Sequence, residues 1–269
     1  MPLDHTVGSI TVTALVDGAG PFFQPREAAF PDATAAQWAE ADRRDPATVT
    51  PDGGWWLPFR CFALRTGDGP VTLVDAGIGP ADSLAAGWAP VPGRLPAELA
   101  AAGIDPADVR TVVLTHLHSD HVGWAGELFP NADHLLQRAE LEALARFHPE
   151  LPARLLGPLR AAGRLRVVDG ETDLTPGVRV LSTPGHTPGH QSVLVDSGDD
   201  RLLVTGDLLV HPLQLVDPAL PYAHEEDPGL ARTTRVALLD TLARRGPTTL
   251  ATPHLGTPFT PLEPHPPQS

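Results

Sequence analysis

The sequence predicts one domain of mixed α+β class, and three observations carry that expectation. Short apolar strand patterns alternate with helical ones along most of the 269 residues. Hydrophobic residues make up 42% of the chain, ample for a packed core, and no linker long enough to separate domains interrupts them. One segment, residues 109–115, is almost continuously apolar and reads as a strand buried on both faces. The expected extent is a single domain over residues 1–260, with an elaboration at residues 18–60 and a disordered Pro-rich tail at residues 261–269.

Taken in order, residues 8–16 alternate apolar and polar side chains, as a half-buried strand does. Residues 18–60 break that pattern, setting Phe22, Phe23, Phe30, Trp38, Trp55, Trp56 and Phe59 among prolines and glycines around one helix near residues 34–43. Residues 61–65 and 71–75 flank the turn Gly67-Asp68-Gly69 and form a hairpin. A short helix at residues 95–102 is stopped by Gly103, and the apolar strand at 109–115 follows. Residues 134–137 form a strand that runs into a helix at Arg138–Phe147, and residues 164–168, Val178–Ser182, Gln191–Asp196 and residues 201–205 are further strands. The clearest helix spans residues 230–245, with apolar residues at 230, 237, 238 and 242. Arg244 and Arg245 occupy its last turn, and Gly246 and Pro247 end it. Residues 248–252 are the last strand.

Composition excludes several chemistries. All 19 basic residues are arginine, so Schiff-base chemistry, pyridoxal-phosphate anchoring and a Walker-type phosphate loop have no lysine to use. The formal charge of −14 and the lack of arginine runs argue against nucleic acid or an anionic membrane as partner. One cysteine, Cys61, excludes internal disulfides and multi-cysteine metal sites. No basic leader followed by an apolar run and no membrane-length apolar stretch is present, so a cytoplasmic protein acting on a small molecule is expected.

Histidine is what composition leaves standing. His116-Leu117-His118-Ser119-Asp120-His121 sets three imidazoles and a carboxylate within six residues, directly after the apolar strand. A strand end is a rigid base, and a tight loop lets these side chains converge on divalent ions. Four ligands so close together fit two adjacent ions better than one.

This loop resembles the HxHxDH signature of the metallo-β-lactamase superfamily, and the later family positions follow in order over residues 8–258. His186 lies in Thr183-Pro184-Gly185-His186, Asp207 ends a strand in Thr205-Gly206-Asp207, and His254 does so in Thr252-Pro253-His254. The resemblance implies a four-layer αβ/βα sandwich with metal ligands on loops at one edge. By position, it implies that His116, His118 and His186 hold a first ion and Asp120, His121 and His254 a second, with Asp207 bridging. It further implies that Asp75 orients ligands from behind, while His190 supports the loop. Five histidines and two aspartates suit Zn²⁺ first, with Mn²⁺ or Fe²⁺ as alternatives. His5, His134, His148, His211, His224 and His265 have no spacing argument for metal.

Two ions about 3.5–4 Å apart would share a hydroxide that attacks a carbonyl or phosphoryl centre, with Asp120 orienting it and shuttling its proton. The resemblance is to the branch containing N-acyl-homoserine-lactone lactonases and methyl-parathion-type hydrolases, implying a small neutral ester, lactone or phosphotriester as substrate. One departure is that the lactonases carry a tyrosine shortly after the bridging aspartate, where this chain has Leu208-Leu209-Val210-His211. His211, or Tyr222 as the sole tyrosine, is the substitute donor to substrate. Residues 18–60, Trp88 and Trp124 are candidates for an apolar wall over the site, and residues 18–60 alternatively for a homodimer face. A glyoxalase II-type thioesterase and a non-catalytic metal-binding protein on the same fold stay open as alternatives.

Overall fold

The computed structural model describes residues 2–147 and 151–263. It begins with β1 (Leu3–Val7), which turns at Gly8 to pair antiparallel with β2 (Ile10–Pro21). The alternation at residues 8–16 understates this strand. A register shift between Val16 and Gly18 lets β2 continue beside its neighbour to Pro21, and a bulge of that kind erases the period of two. Two helices follow, α1 (Arg26–Ala29) and α2 (Ala35–Arg44). The second opens with a capping box, in which Thr34 accepts from Gln37 N while its own N–H donates to Gln37 Oε1. The chain returns in β3 (Trp56–Thr66), pairs through β4 (Val71–Val74), and crosses over α3 (Leu95–Ala101) to β5 (Val109–Val113). Residues 18–21 and 56–60 are thus strand rather than irregular insertion.

Next come β6 (Asp133–Gln137), α4 (Arg138–Phe147), α5 (Leu151–Ala161) and β7 (Leu165–Val168), completing a seven-stranded sheet in the order β1 to β7. The internal Pro158 disguises α5 as a breaker in the sequence. The second sheet holds six strands: β8 (Thr172–Thr175), β9 (Val178–Ser182), β10 (Gln191–Asp196), β11 (Arg201–Val204) and, after α6 (Leu213–Val216) and α7 (Pro228–Arg245), β12 (Thr248–Ala251) and β13 (Phe259–Pro261). Pro261 therefore ends a strand, and Leu262 N donates to Thr248 O; residues 264–269, His148 and His265 lie outside the described residues.

Three apolar layers hold the stack. Val12, Phe62, Val113 and Leu135 of the first sheet meet Val180, Val193, Val204 and Ala251 of the second. Leu73, Val112 and Leu136 pack outward on Leu95 and Leu99 of α3 and on Leu156 and Leu159 of α5. Leu194, Leu203 and Leu250 pack on Leu239 and Leu242 of α7. The result is the expected αβ/βα sandwich. The buried stripe of α7 is Ala231, Arg235, Leu239 and Leu242, spaced four and three apart, whereas Leu230 is exposed. A fourth cluster joins Phe30, Trp38, Trp55 and Phe59 to Ile78, Val210 and Tyr222, so the elaboration packs against the end of the sandwich. No helix among the described residues is long and apolar enough to cross a membrane.

Candidate metal centre

Five connections lie at one edge of the two sheets, and each delivers one part of the site. Asp75 follows β4, His116 to His121 follow β5, His186 lies between β9 and β10, Asp207 follows β11, and His254 follows β12. Glycine is needed where the His186 loop crosses α7: at Gly185, φ is 135° and a Cβ would lie 2.2 Å from Ala231 N.

The seven side chains fall into two adjoining groups, one of His116, His118, His186 and Asp207, the other of Asp120, His121 and His254. In the first, His118 Nδ1 lies 2.9 Å from His116 Nε2 and 3.0 Å from His186 Nε2, and Asp207 Oδ2 lies 3.2 Å from His186 Nε2. In the second, His121 Nε2 and His254 Nε2 are 3.3 Å apart, with Asp120 Oδ2 at 3.4 and 3.6 Å. Asp207 Oδ1 completes this group, 3.3 Å from His121 Nε2 and 3.2 Å from His254 Nε2. One carboxylate thus turns a different oxygen to each cluster.

Hydrogen bonding behind the rings determines what the rings present. His121 Nδ1 is 2.8 Å from Asp75 Oδ2, and His254 Nδ1 is 2.8 Å from the Pro58 carbonyl. Both contacts require Nδ1–H, so each neutral ring turns a lone pair inward at Nε2. Thr115 Oγ1 donates to Asp75 Oδ2 at 2.9 Å and so accepts from His116 Nδ1 at 3.0 Å, which leaves a lone pair at His116 Nε2 as well. Ring nitrogens and carboxylate oxygens that converge at about 3.3 Å call for positive charge among them, as a proton or as a metal ion. Nitrogen and carboxylate donors in this number fit divalent zinc, manganese or iron.

Electrostatics agree. Burial, then the imidazoles of His121 and His118, hold His116 well below the usual histidine range; burial and His186 take His118 to about 3. Burial also disfavours charge on His121, but Asp207, Asp120 and Asp75 outweigh it and draw its pKa well above the ordinary value. The carboxylates of the second cluster therefore attract positive charge.

The remaining sequence candidates separate. Asp75 stands behind His121, as just described. His190 lies in neither cluster: its Nε2 accepts from Asp207 N at 2.9 Å, and its Nδ1 donates to Thr183 O at 3.0 Å. Tyr222 lines the cavity, its ring parallel to His186 within 11° at 6.2 Å, and its phenol is kept neutral by burial and by the nearby Asp207 and Asp120. Two expectations are corrected. Trp124 is not a wall of the cavity: the bonds Gly123 N to Gly77 O and Trp124 N to Ala76 O turn the chain away, and its indole N–H donates to Asp17 at 3.2 Å. His211 is buried among Phe30, Trp38 and Trp55 behind the wall, where its Nδ1 accepts from Leu213 N.

The cavity over the clusters measures about 380 Å³. Phe22, Phe23, Trp55, Leu57 and Trp88 form its apolar side, and Tyr222, His224, Glu225 and Glu226 face them; among the described residues no arginine lines it. Trp88 Nε1 donates to Ser119 Oγ at 3.0 Å, placing one hydroxyl on the apolar side.

Several buried charges escaped the sequence reading, and four of them fasten the site. Asp17 accepts from the backbone of Ile78, Gly79 and Leu95 and from Trp124. Arg60 donates to the carbonyls of Leu255 and Gly256 beside His254. Glu140 joins Leu117 N to Thr187 Oγ1 and Gly189 N, tying the His116–His118 loop to the His186 loop. Arg235 binds the segment after Asp207. Only Arg235 left a signal, a charge at the four-residue spacing of a buried stripe.

The profile of the metallo-beta-lactamase superfamily matches residues 56–254 of this chain. An N-acyl homoserine lactonase of Bacillus sp is 34% identical over 164 residues, covering 56% of this chain and 63% of that protein. The N-acyl homoserine lactonase AttM of Azorhizobium caulinodans is 36% identical over 184 residues, covering 59% and 62%. The chain thus spans a little under two thirds of the length of these curated relatives. Among solved structures, the hydrolase AbOPH in the beta lactamase superfamily superposes with a TM-score of 0.77 at 25% identity, over 99% of this chain and 98% of that one.

Proposed function

Because the chain belongs to the metallo-beta-lactamase superfamily, we propose that it is a dinuclear metal-dependent hydrolase of small neutral esters, lactones foremost. The observation that carries the reading is Asp207, whose two oxygens serve two separate ligand clusters. His116, His118 and His186 would hold one ion, Asp120, His121 and His254 the other, with Asp207 shared; zinc suits the set best. Bound there, the two ions supply the positive charge that acidifies water and polarises the scissile group.

The chain's own residues supply the rest. Burial opposes charge on Asp120, but His121 and His254 keep its carboxyl below the ordinary range, so it is ionised and able to take a proton and return it to the leaving oxygen. Tyr222 retains its proton and can donate to the substrate oxygen, the role the departure after Asp207 leaves open. Phe22, Trp55 and Trp88 receive an apolar substituent and exclude water from it. With no arginine among the described residues lining the cavity, an anionic group held away from the ions finds no basic side chain, which speaks for neutral esters over the anionic thioesters of a glyoxalase II-type enzyme. The names of the relatives, N-acyl homoserine lactonases, put lactones first among such esters.

The test is a panel of lactones, aryl esters, thioesters and phosphotriesters with zinc-loaded protein. Lactone turnover should exceed the rest and vanish on chelation. Asp120→Ala should lower kcat about 10²- to 10⁴-fold, and full activity in that variant would defeat the mechanism.

A further inference from the structure

Arg235 occupies the middle of α7 with no solvent exposure, on a stripe otherwise filled by Ala231, Leu239 and Leu242. Every contact of its guanidinium goes to one stretch of chain. Nε donates to Pro218 O at 2.7 Å, Nη2 to Leu220 O at 2.8 Å, and Nη1 to Glu225 Oε1 at 2.7 Å and Leu208 O at 3.3 Å. This stretch begins beside Asp207 and carries Tyr222 into the cavity. Glu225 in turn grips Tyr222 from both sides, its Oε2 accepting from Tyr222 N and its N–H donating to Tyr222 O, each at 3.1 Å. The next two amides, of Glu226 and Asp227, donate to His186 O and Gly185 O at 3.0 Å. The phenol ring is thereby referenced to His186, the ring it parallels.

We infer that the buried Arg235–Glu225 pair is a positioning device that sets the Tyr222 phenol over the ligand clusters. Stability alone does not explain the pair, since an apolar pair of like volume is generally as stable as a buried ion pair. What the ion pair adds is direction, because the planar guanidinium fork fixes four acceptors at once. The inference rests on the proposed hydrolase reading for what Tyr222 does there, but the position of the ring can be read separately.

The chain has a single tyrosine, so labelling with 3-fluorotyrosine gives one ¹⁹F resonance, that of Tyr222. Arg235→Met combined with Glu225→Leu replaces the pair by apolar side chains. The expected result is a folded protein by circular dichroism, unchanged metal content, and a ¹⁹F resonance that shifts or splits. For the lactone turned over best, kcat should fall about 10-fold with KM within about threefold. No further fall should follow when Tyr222→Phe is already present. Arg235→Lys keeps the ion pair but not the fork, and its resonance should lie between the two. A single unmoved resonance in both variants overturns the inference, as does an equal loss of kcat with and without Tyr222. A wild-type protein that hydrolyses none of the panel refutes the hydrolase reading alone, and the ¹⁹F spectra still decide the positioning.

Discussion

Asp75 holds a left-handed backbone conformation, φ 64°, which costs a non-glycine residue on the order of 1–2 kcal/mol. Three contacts offset that cost: Thr115 N on Oδ1, and Thr115 Oγ1 and His121 Nδ1 on Oδ2. A turn residue alone would need none of them. Asp75→Ala should weaken divalent-ion binding at the His121 cluster about 10- to 100-fold in competition with a chromophoric chelator; unchanged affinity would reduce Asp75 to a turn former. The seven proposed ligands were legible because the HxHxDH loop follows an apolar strand and resembles a family signature, and that resemblance implied the later positions His186, Asp207 and His254. Trp124 was misplaced because nearness in sequence to His121 is not nearness in space once a turn intervenes. Tyr222 lies 15 residues beyond Asp207, and only the folded path between them shows that it reaches the same cavity.

At the scale of elements, the site is a set of loops fastened to one another by buried charges. Glu140 in α4 accepts from Leu117 N, Thr187 Oγ1 and Gly189 N, and burial raises its pKa while these bonds lower it. Glu140→Leu leaves those donors unpaired and should cost about 3 kcal/mol or more in urea unfolding. A loss below about 1 kcal/mol would mean that water replaces the carboxylate. Strands and helices with a regular period were read at nearly their observed bounds, as for Val178–Ser182 and Gln191–Asp196. Elements whose period is broken were not: β2 past its bulge, α5 around Pro158, and the polar β8. Fasteners such as Glu140 and Arg60 are invisible for another reason, because their partners are mostly backbone groups on distant loops that no residue type announces.

Across the whole molecule, an acidic chain of charge −14 without lysine buries seven of its twelve histidines among the described residues, whereas His224 is exposed. Burial, and then the charge of Arg26, takes His211 to about 3, against 6.5 for an exposed ring. Between those values the unfolded chain binds a proton that the folded chain refuses, so the contribution of His211 is present in full above pH 6.5 and is lost as pH falls toward 3. His211→Phe should therefore lessen the stability lost between pH 7.5 and pH 5, by about 2 kcal/mol, measured by denaturant titration of metal-free protein at both values. An unchanged loss would show that the ring is protonated without penalty. Among the described residues neither lysine nor arginine lines the cavity, which makes metal the central question. The most direct measurement is elemental mass spectrometry of chelator-stripped protein reloaded with zinc, for the wild type and for Asp207→Ala. Close to two zinc ions per chain in the wild type, and a clear loss in the variant, is the result predicted; one ion or fewer in a wild type that hydrolyses lactones at full rate would contradict it.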